Sequence, residues 1–146
     1  LKRLVWNYYN RVERKLKATD TTDSWTSTAT GWRSLNGSTA NRVQVCVGVS
    51  EDLLALRFFA LGKQSAGNTI SVGIGLDSTS VNSADIFPGI ATSNVIVTGT
   101  AEYRAYSGIG SHFLQLLEYD GGTTTTFYAD VGLTYAQSGA VGSIPG

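Results

Sequence analysis

At 146 residues the chain has the size of one domain, and such a domain buries roughly 68–70% of its unfolded surface, enough for a core without covalent staples. Hydrophobic residues make up 42% and charged residues only 15%, against about 25% charged in an average soluble protein; recurrent Val, Ile, Leu and aromatics exclude intrinsic disorder. Eleven basic and eleven acidic groups cancel overall, yet residues 1–17 hold six of the basic ones (Lys2, Arg3, Arg11, Arg14, Lys15, Lys17) against Glu13 alone, leaving −5 on the remainder, which excludes a uniformly basic domain and argues against nucleic acid as the main partner.

Cys46 is the single cysteine, so no intrachain disulfide forms. No apolar run approaches the roughly 20 residues of a membrane span, so no membrane insertion is expected, and no secretory leader is visible. A chain without Met that starts at Leu1 is expected to be a processed product or part of a longer polypeptide.

The opening stretch fits two templates. As a helix, Leu1, Leu4, Val5, Tyr8, Val12 and Leu16 share a stripe that Trp6 falls off. As a strand, Leu4, Trp6, Tyr8, Val12 and Leu16 point one way, with Asn7, Arg11, Glu13, Lys15 and Lys17 on the other; the aromatics favour the strand. "SWTSTATGWRSL" (24–35) predicts two Trp-centred strands in a hairpin. "NRVQVCVGVSED" (41–52) places Val43, Val45, Val47 and Val49 on one face by strict alternation. "LLALRFFALG" (53–62) is apolar on both faces, the pattern of a strand buried between layers. "NTISVGIGLD" (68–77) alternates again, and 78–94 is a long loop of the kind that often carries function. Strands are expected over 95–106, 111–121 and 123–133, the last two joined by an Asp120-Gly121-Gly122 hairpin turn.

These elements predict an all-β fold, an antiparallel two-sheet sandwich of about eight strands resembling a jelly roll. The expected divisions are a basic strand or connector over 1–18, the sandwich over 19–137 and an irregular tail over 138–146.

Motifs for chemistry are sparse. His112 is the only histidine and lacks a nucleophile turn nearby, so it reads as structural. One His and one Cys cannot complete a zinc site. Glu51-Asp52, Glu118 and Asp120 lie near predicted strand ends, where a glycosidase pair could sit, but they read more simply as turn and edge groups. A calcium set from Asp77, Asp85 or Asp120 lacks the required spacing. "GIGLD" and "GIGS" precede no helix and fit close sheet packing better than phosphate binding. Asn36-Gly37-Ser38 matches a glycosylation acceptor by spacing, and an Asn-Gly turn explains it as well. Trp25, Trp32, Tyr103 and Tyr106 are candidates for an aromatic platform that stacks on sugar or packs a subunit. Arg11, Arg14, Lys15 and Lys17 are candidates for docking. No catalytic, cofactor or metal residues are assigned.

"RLVWNYYNRVERK", "DSWTSTATGWRSLNGSTANRVQVCVGVSED" and "ISVGIGLDSTS" together resemble a recurring C-terminal β-sandwich module of tailed-bacteriophage virion proteins: head fibres and spikes, decoration proteins and tail fibres. The likeness covers most of residues 3–80 and, loosely, "HFLQLLEYDGG". It implies a non-enzymatic structural domain on the virion surface, contacting other capsid or tail proteins and assembled as a homo-oligomer, trimeric by preference, with the basic arm seated on an acidic shell. The alternative it leaves open is a tail-fibre or adhesin tip that binds host-surface glycan. A depolymerase is a third reading, which requires a carboxylate pair.

Overall fold

The structure is a computed structural model that describes residues 11–91, 93–130 and 136–146. Among the described residues eleven strands, all paired antiparallel, form two sheets. In the larger sheet the long strand β5 (Leu53–Gln64) is central. β8 (Val97–Tyr106) runs along one of its edges. Its other edge is shared: β11 (Gly139–Pro145) pairs with residues 55–59 and β10 (Thr125–Tyr128) with residues 61–64. β1 (Glu13–Thr19) then closes outside β11, and β2 (Ser24–Ser27) outside β10.

The smaller sheet repeats this plan around β9 (Gly110–Tyr119), with β6 (Thr69–Leu76) on one edge. β4 (Arg42–Val47) and β3 (Arg33–Ser34) share the other edge, and the two-residue β7 (Ile90–Ala91) extends β6. The inward residues of both sheets meet in one core. Leu54, Leu56 and Phe58 of β5 face Val45 of β4, Ile74 of β6 and Leu116 of β9, all buried. Each such side chain contributes about 1.5–3 kcal/mol through removal from water. The expected all-β antiparallel sandwich is therefore the fold observed, with short strands such as β3 and β7 accounting for the larger strand count.

Four local expectations are corrected. Residues 24–35 do not form a hairpin: β2 joins the larger sheet and β3 the smaller one. Likewise Asp120-Gly121-Gly122 carries the chain from β9 across to β10 in the opposite sheet. The two crossings lie side by side and share one anchor. The Asp120 carboxylate, fully buried, accepts hydrogen bonds from Ser27 Oγ, from Ala29 N at 2.9 Å and from Gly122 N at 3.1 Å. Turn residues announce a reversal of the chain; they do not say in which sheet the next strand pairs.

Strand β5 is buried on its inner face only. Leu54, Leu56, Phe58 and Ala60 are buried, whereas Leu53, Ala55, Phe59 and Leu61 are partly exposed and Arg57 is open to water. Burial on both faces is found instead in β6, over which the chain after residue 77 folds back, and in residues 114–118 of β9.

The stretch 138–146, expected to be irregular, contains β11, inserted between β1 and β5. Its glycines suit it to that place: a Cβ on Gly142 would collide with the Ala55 carbonyl oxygen and lie 2.9 Å from Leu56 Cα, so only glycine lets the strands approach this closely. Of the segment 1–18, expected as a basic strand or connector, residues 13–18 lie in β1 of the same sheet. The choice between helix and strand is thus settled as strand for this part, while residues 1–10 lie outside the described residues.

Candidate functional site

The outer face of the smaller sheet carries an aromatic cleft. Ser71 of β6 and Tyr119 of β9 are register partners on that face. Trp32 sits immediately before β3, whose Arg33 pairs with Glu118. The 78–89 segment then covers β6: Ser83 N donates to Ile74 O at 2.7 Å, Ile74 N donates to Asn82 Oδ1 at 3.0 Å, and Ser71 Oγ donates to the Pro88 carbonyl. Gly73 makes room for this arrangement, since a Cβ there would stand 2.9 Å from the Trp32 ring and 2.5 Å from Asn82 Oδ1.

The result is a corner of three rings. Trp32 and Phe87 centroids are 5.6 Å apart with planes at 84°, and Trp32 and Tyr119 centroids are 5.5 Å apart at 47°. They enclose, with Pro88, Thr69 and Ser71, a cleft of about 360 Å³, within the range of about 300–1,000 Å³ typical of small-ligand sites. Phe87 remains 49% exposed, so one wall of the corner is open to a ligand. Among the described residues no carboxylate, ammonium, guanidinium or imidazole lines it; its polar groups are hydroxyls, the Trp32 indole and backbone.

Beneath the cleft, the fully buried Glu118 fixes the approach to Trp32. Its carboxylate accepts from Trp25 Nε1 at 2.8 Å, Arg33 Nε at 2.7 Å and Asn36 N at 3.2 Å. Burial pushes its pKa up, against the opposing pull of the Arg33 charge and of the hydrogen bonds from Trp25, Arg33 and Asn36.

The four aromatic candidates part company. Trp32 lines the cleft. Trp25 is half-buried on the inner side, stacked on Phe127 at 5.8 Å. Tyr103 is a core residue at 4% exposure, and Tyr106 stands open at the end of β8 on the other sheet. Phe87 and Tyr119, which complete the corner, were not singled out from the sequence. The long loop was the available signal for Phe87; for Tyr119 the signal was strand parity with Ser71, readable only once the pairing is known.

Among the basic candidates, Arg11 makes an ion pair with the buried Asp52, whereas Arg14, Lys15 and Lys17 are exposed on or beside the edge strand β1. The carboxylates named for catalysis or calcium are dispersed. Glu118 and Asp120 serve as internal anchors, and Asp85 accepts from Arg104 N at 2.5 Å. Asp77 accepts from Phe113 N at 2.9 Å and holds His112 Nδ1 at 2.7 Å. Partial burial opposes ionisation of Asp77, but the contacts from His112 and Phe113 outweigh it and lower its pKa. No cluster of three metal-ligating side chains occurs among the described residues.

No protein-family model matches this sequence, and no curated protein matches it. Among solved structures, the chain is similar to the C-terminal domain of EclA, a sugar-binding protein, at 11% identity and a TM-score of 0.33, over 87% of this chain and 79% of that one. It is also similar to the enzymatically active domain of tailspike protein 4 of bacteriophage CBA120, at 12% identity and a TM-score of 0.33, over 80% of this chain but only 18% of that one. Likenesses this distant carry no inference about what the chain does.

Proposed function

We propose that this domain is the glycan-binding β-sandwich of a non-enzymatic virion fibre or spike, with the Trp32–Phe87–Tyr119 corner as its sugar subsite. The virion setting and the trimeric assembly rest on the resemblance of residues 3–80 to tailed-phage structural modules. The sugar reading rests on the cleft. A pyranose has an apolar face of C–H groups and an equatorial rim of hydroxyls. An open aromatic wall suits the first, and the hydroxyls of Thr69 and Tyr119 suit the second.

A glycan array followed by titration calorimetry tests this reading. The domain binds a subset of neutral glycans, and Trp32→Ala weakens that binding about 10- to 100-fold, the equivalent of losing one buried aromatic contact. Tyr106→Ala, on the opposite sheet, leaves it unchanged. A decoration protein that only coats the particle would bind no sugar at all. That result, or equal losses in both variants, would sink the proposal.

A further inference from the structure

The register of the larger sheet assembles on its outer face cations that are far apart in sequence. Two adjacent rows cross four strands. One row runs Lys15 (β1), Ser143 (β11), Ala55 (β5), Arg104 (β8); the next runs Lys17, Val141, Arg57, Glu102. Lys63 points to the same side further along β5, opposite Thr126 and Thr26. After residue 17 the chain has only five basic residues, and three of them, Arg57, Lys63 and Arg104, lie on this one face.

The acidic groups there are fewer. Glu102 pairs with Arg57 and Glu13 stands at the edge of β1. Asp85, beside β8, is engaged with the Arg104 backbone N–H. The face therefore carries five positive side chains against Glu13 and Glu102, with Asp85 at its β8 edge, although the whole chain is neutral. Lys15, Lys17 and Arg104 are exposed and make no ion pair among the described residues. The Arg57 guanidinium is steadied over the Phe59 ring at 5.8 Å.

Between the rows lies a shallow groove of about 220 Å³, floored by Ala55, Gly142 and Ser143 and flanked by Arg57, Arg104 and Val141, with Glu102, the ion-pair partner of Arg57, also on its wall. Strand spacing sets Lys15 roughly 14 Å from Arg104, and pleat spacing sets Lys15 roughly 7 Å from Lys17. The arrangement is a flat lattice of cations around a slot for one small anionic group.

We infer that this face binds an acidic polysaccharide, its carboxylate or sulfate groups seated between Arg57, Arg104 and Lys15. The choice among polyanions follows from what surrounds the cations. A protein partner needs buried aromatic or aliphatic anchors at the centre of its contact; here Val141 is a single small side chain, 45% exposed, Phe59 of β5 lies under the Arg57 guanidinium, Leu53 and Leu61 are only partly exposed further along β5, and Tyr106 stands at a corner. A hydrated, evenly charged chain requires no such anchor, and small floor residues leave it room to lie flat. This site shares no residue with the aromatic cleft and lies on the opposite side of the sandwich.

The test uses the full chain, with alginate as the polyuronate probe and dextran as the neutral control, in affinity electrophoresis across a salt series. Retention by alginate exceeds retention by dextran and falls steeply as salt screens the charges. The triple variant Lys15→Gln, Lys17→Gln, Arg104→Gln loses affinity by roughly fivefold per charge removed, the scale of a single lysine at an anionic surface. Glu102→Gln, which removes an opposing charge, binds more tightly, and a fold defect does not produce a gain. Equal retention by alginate and dextran, or no change in the triple variant, overturns the inference. So does binding to double-stranded DNA as strong as to alginate at matched charge, or loss of attachment to an acidic virion protein with no alginate binding in the parent.

Discussion

Replacing Glu118 by alanine removes three contacts at once. The carboxylate is fully buried and accepts from Trp25 Nε1, Arg33 Nε and Asn36 N. Without it, the indole N–H of Trp25 and the backbone N–H of Asn36 are left with no acceptor, each at a cost of about 1–3 kcal/mol. Breaking a buried ion pair costs about 3–5 kcal/mol, but the Arg33 side chain is 35% exposed and its charge can turn to water. The three losses belong to one network and do not add, so we expect about 3–4 kcal/mol in total. At about 2–4 °C per kcal/mol for a domain near this size, Tm falls by roughly 10 °C.

Glu118→Gln keeps an acceptor for the indole while removing the charge, and we expect it to cost less than half as much. The comparison also has a pH signature. Because burial raises the Glu118 pKa in the folded state above its usual 4.5, the folded chain holds this proton more tightly than the unfolded one. The stability it contributes is therefore greatest in acid and is lost as pH rises through the folded value. Wild type should gain on Glu118→Gln as the pH is lowered. Urea unfolding followed by tryptophan fluorescence, with calorimetry for Tm, measures both effects. A Glu118→Ala variant within about 1 kcal/mol of wild type, the worth of one ordinary hydrogen bond, refutes the reasoning.

Two other outcomes follow from the same physical rules. Asp20 is opposed by burial yet held below its usual 3.8 by hydrogen bonds from Thr22, Asn41 and Asn36. Its contribution is present above that value and lost as pH falls through the lower folded one, so Asp20→Asn is less stable than wild type at pH 7 and the gap closes in acid, as pH-dependent urea unfolding can show. Gly142→Val drives a branched side chain into the Ala55 carbonyl and separates β11 from β5; we expect hydrogen exchange to lose protection first in β11 and β1, and full protection there would contradict the close approach.

The class of the fold was legible because alternation is a local signal. Val43, Val45 and Val47 alternate and are buried on one face of β4, and two-sheet packing follows from many such strands. What was not legible is which strands pair. The turns at 28–32 and 120–122 have hairpin chemistry, yet both cross between sheets, because the buried Asp120 draws the two crossings together over a separation of 93 residues from Ser27. β11 was hidden because Gly139, Gly142 and Pro145 interrupt the apolar alternation that marks a strand, although Gly142 is what admits it between β1 and β5.

The aromatic corner was half legible. Trp32 and the long loop carried a signal of their own, while Tyr119 acquired a role only through its register with Ser71. Charge was legible as a sum but not as a pattern. Neutrality excludes a molecule basic all round, yet it says nothing about Arg57 and Arg104, which reach the same face as Lys15 and Lys17 only through the order β1-β11-β5 with β8 beyond.

Strand β1 is paired to β11 alone among the described residues, so its far edge presents main-chain donors and acceptors that another extended segment could adopt. Lys15 and Lys17 stand on that strand, and an incoming copy would have to bring its own lysines beside them. The repulsion guards against growth of the sheet from molecule to molecule. Acetylating these two amines, or masking them with a tightly held polyanion, would lift the guard, and self-association into ribbons would be expected to start from this rim.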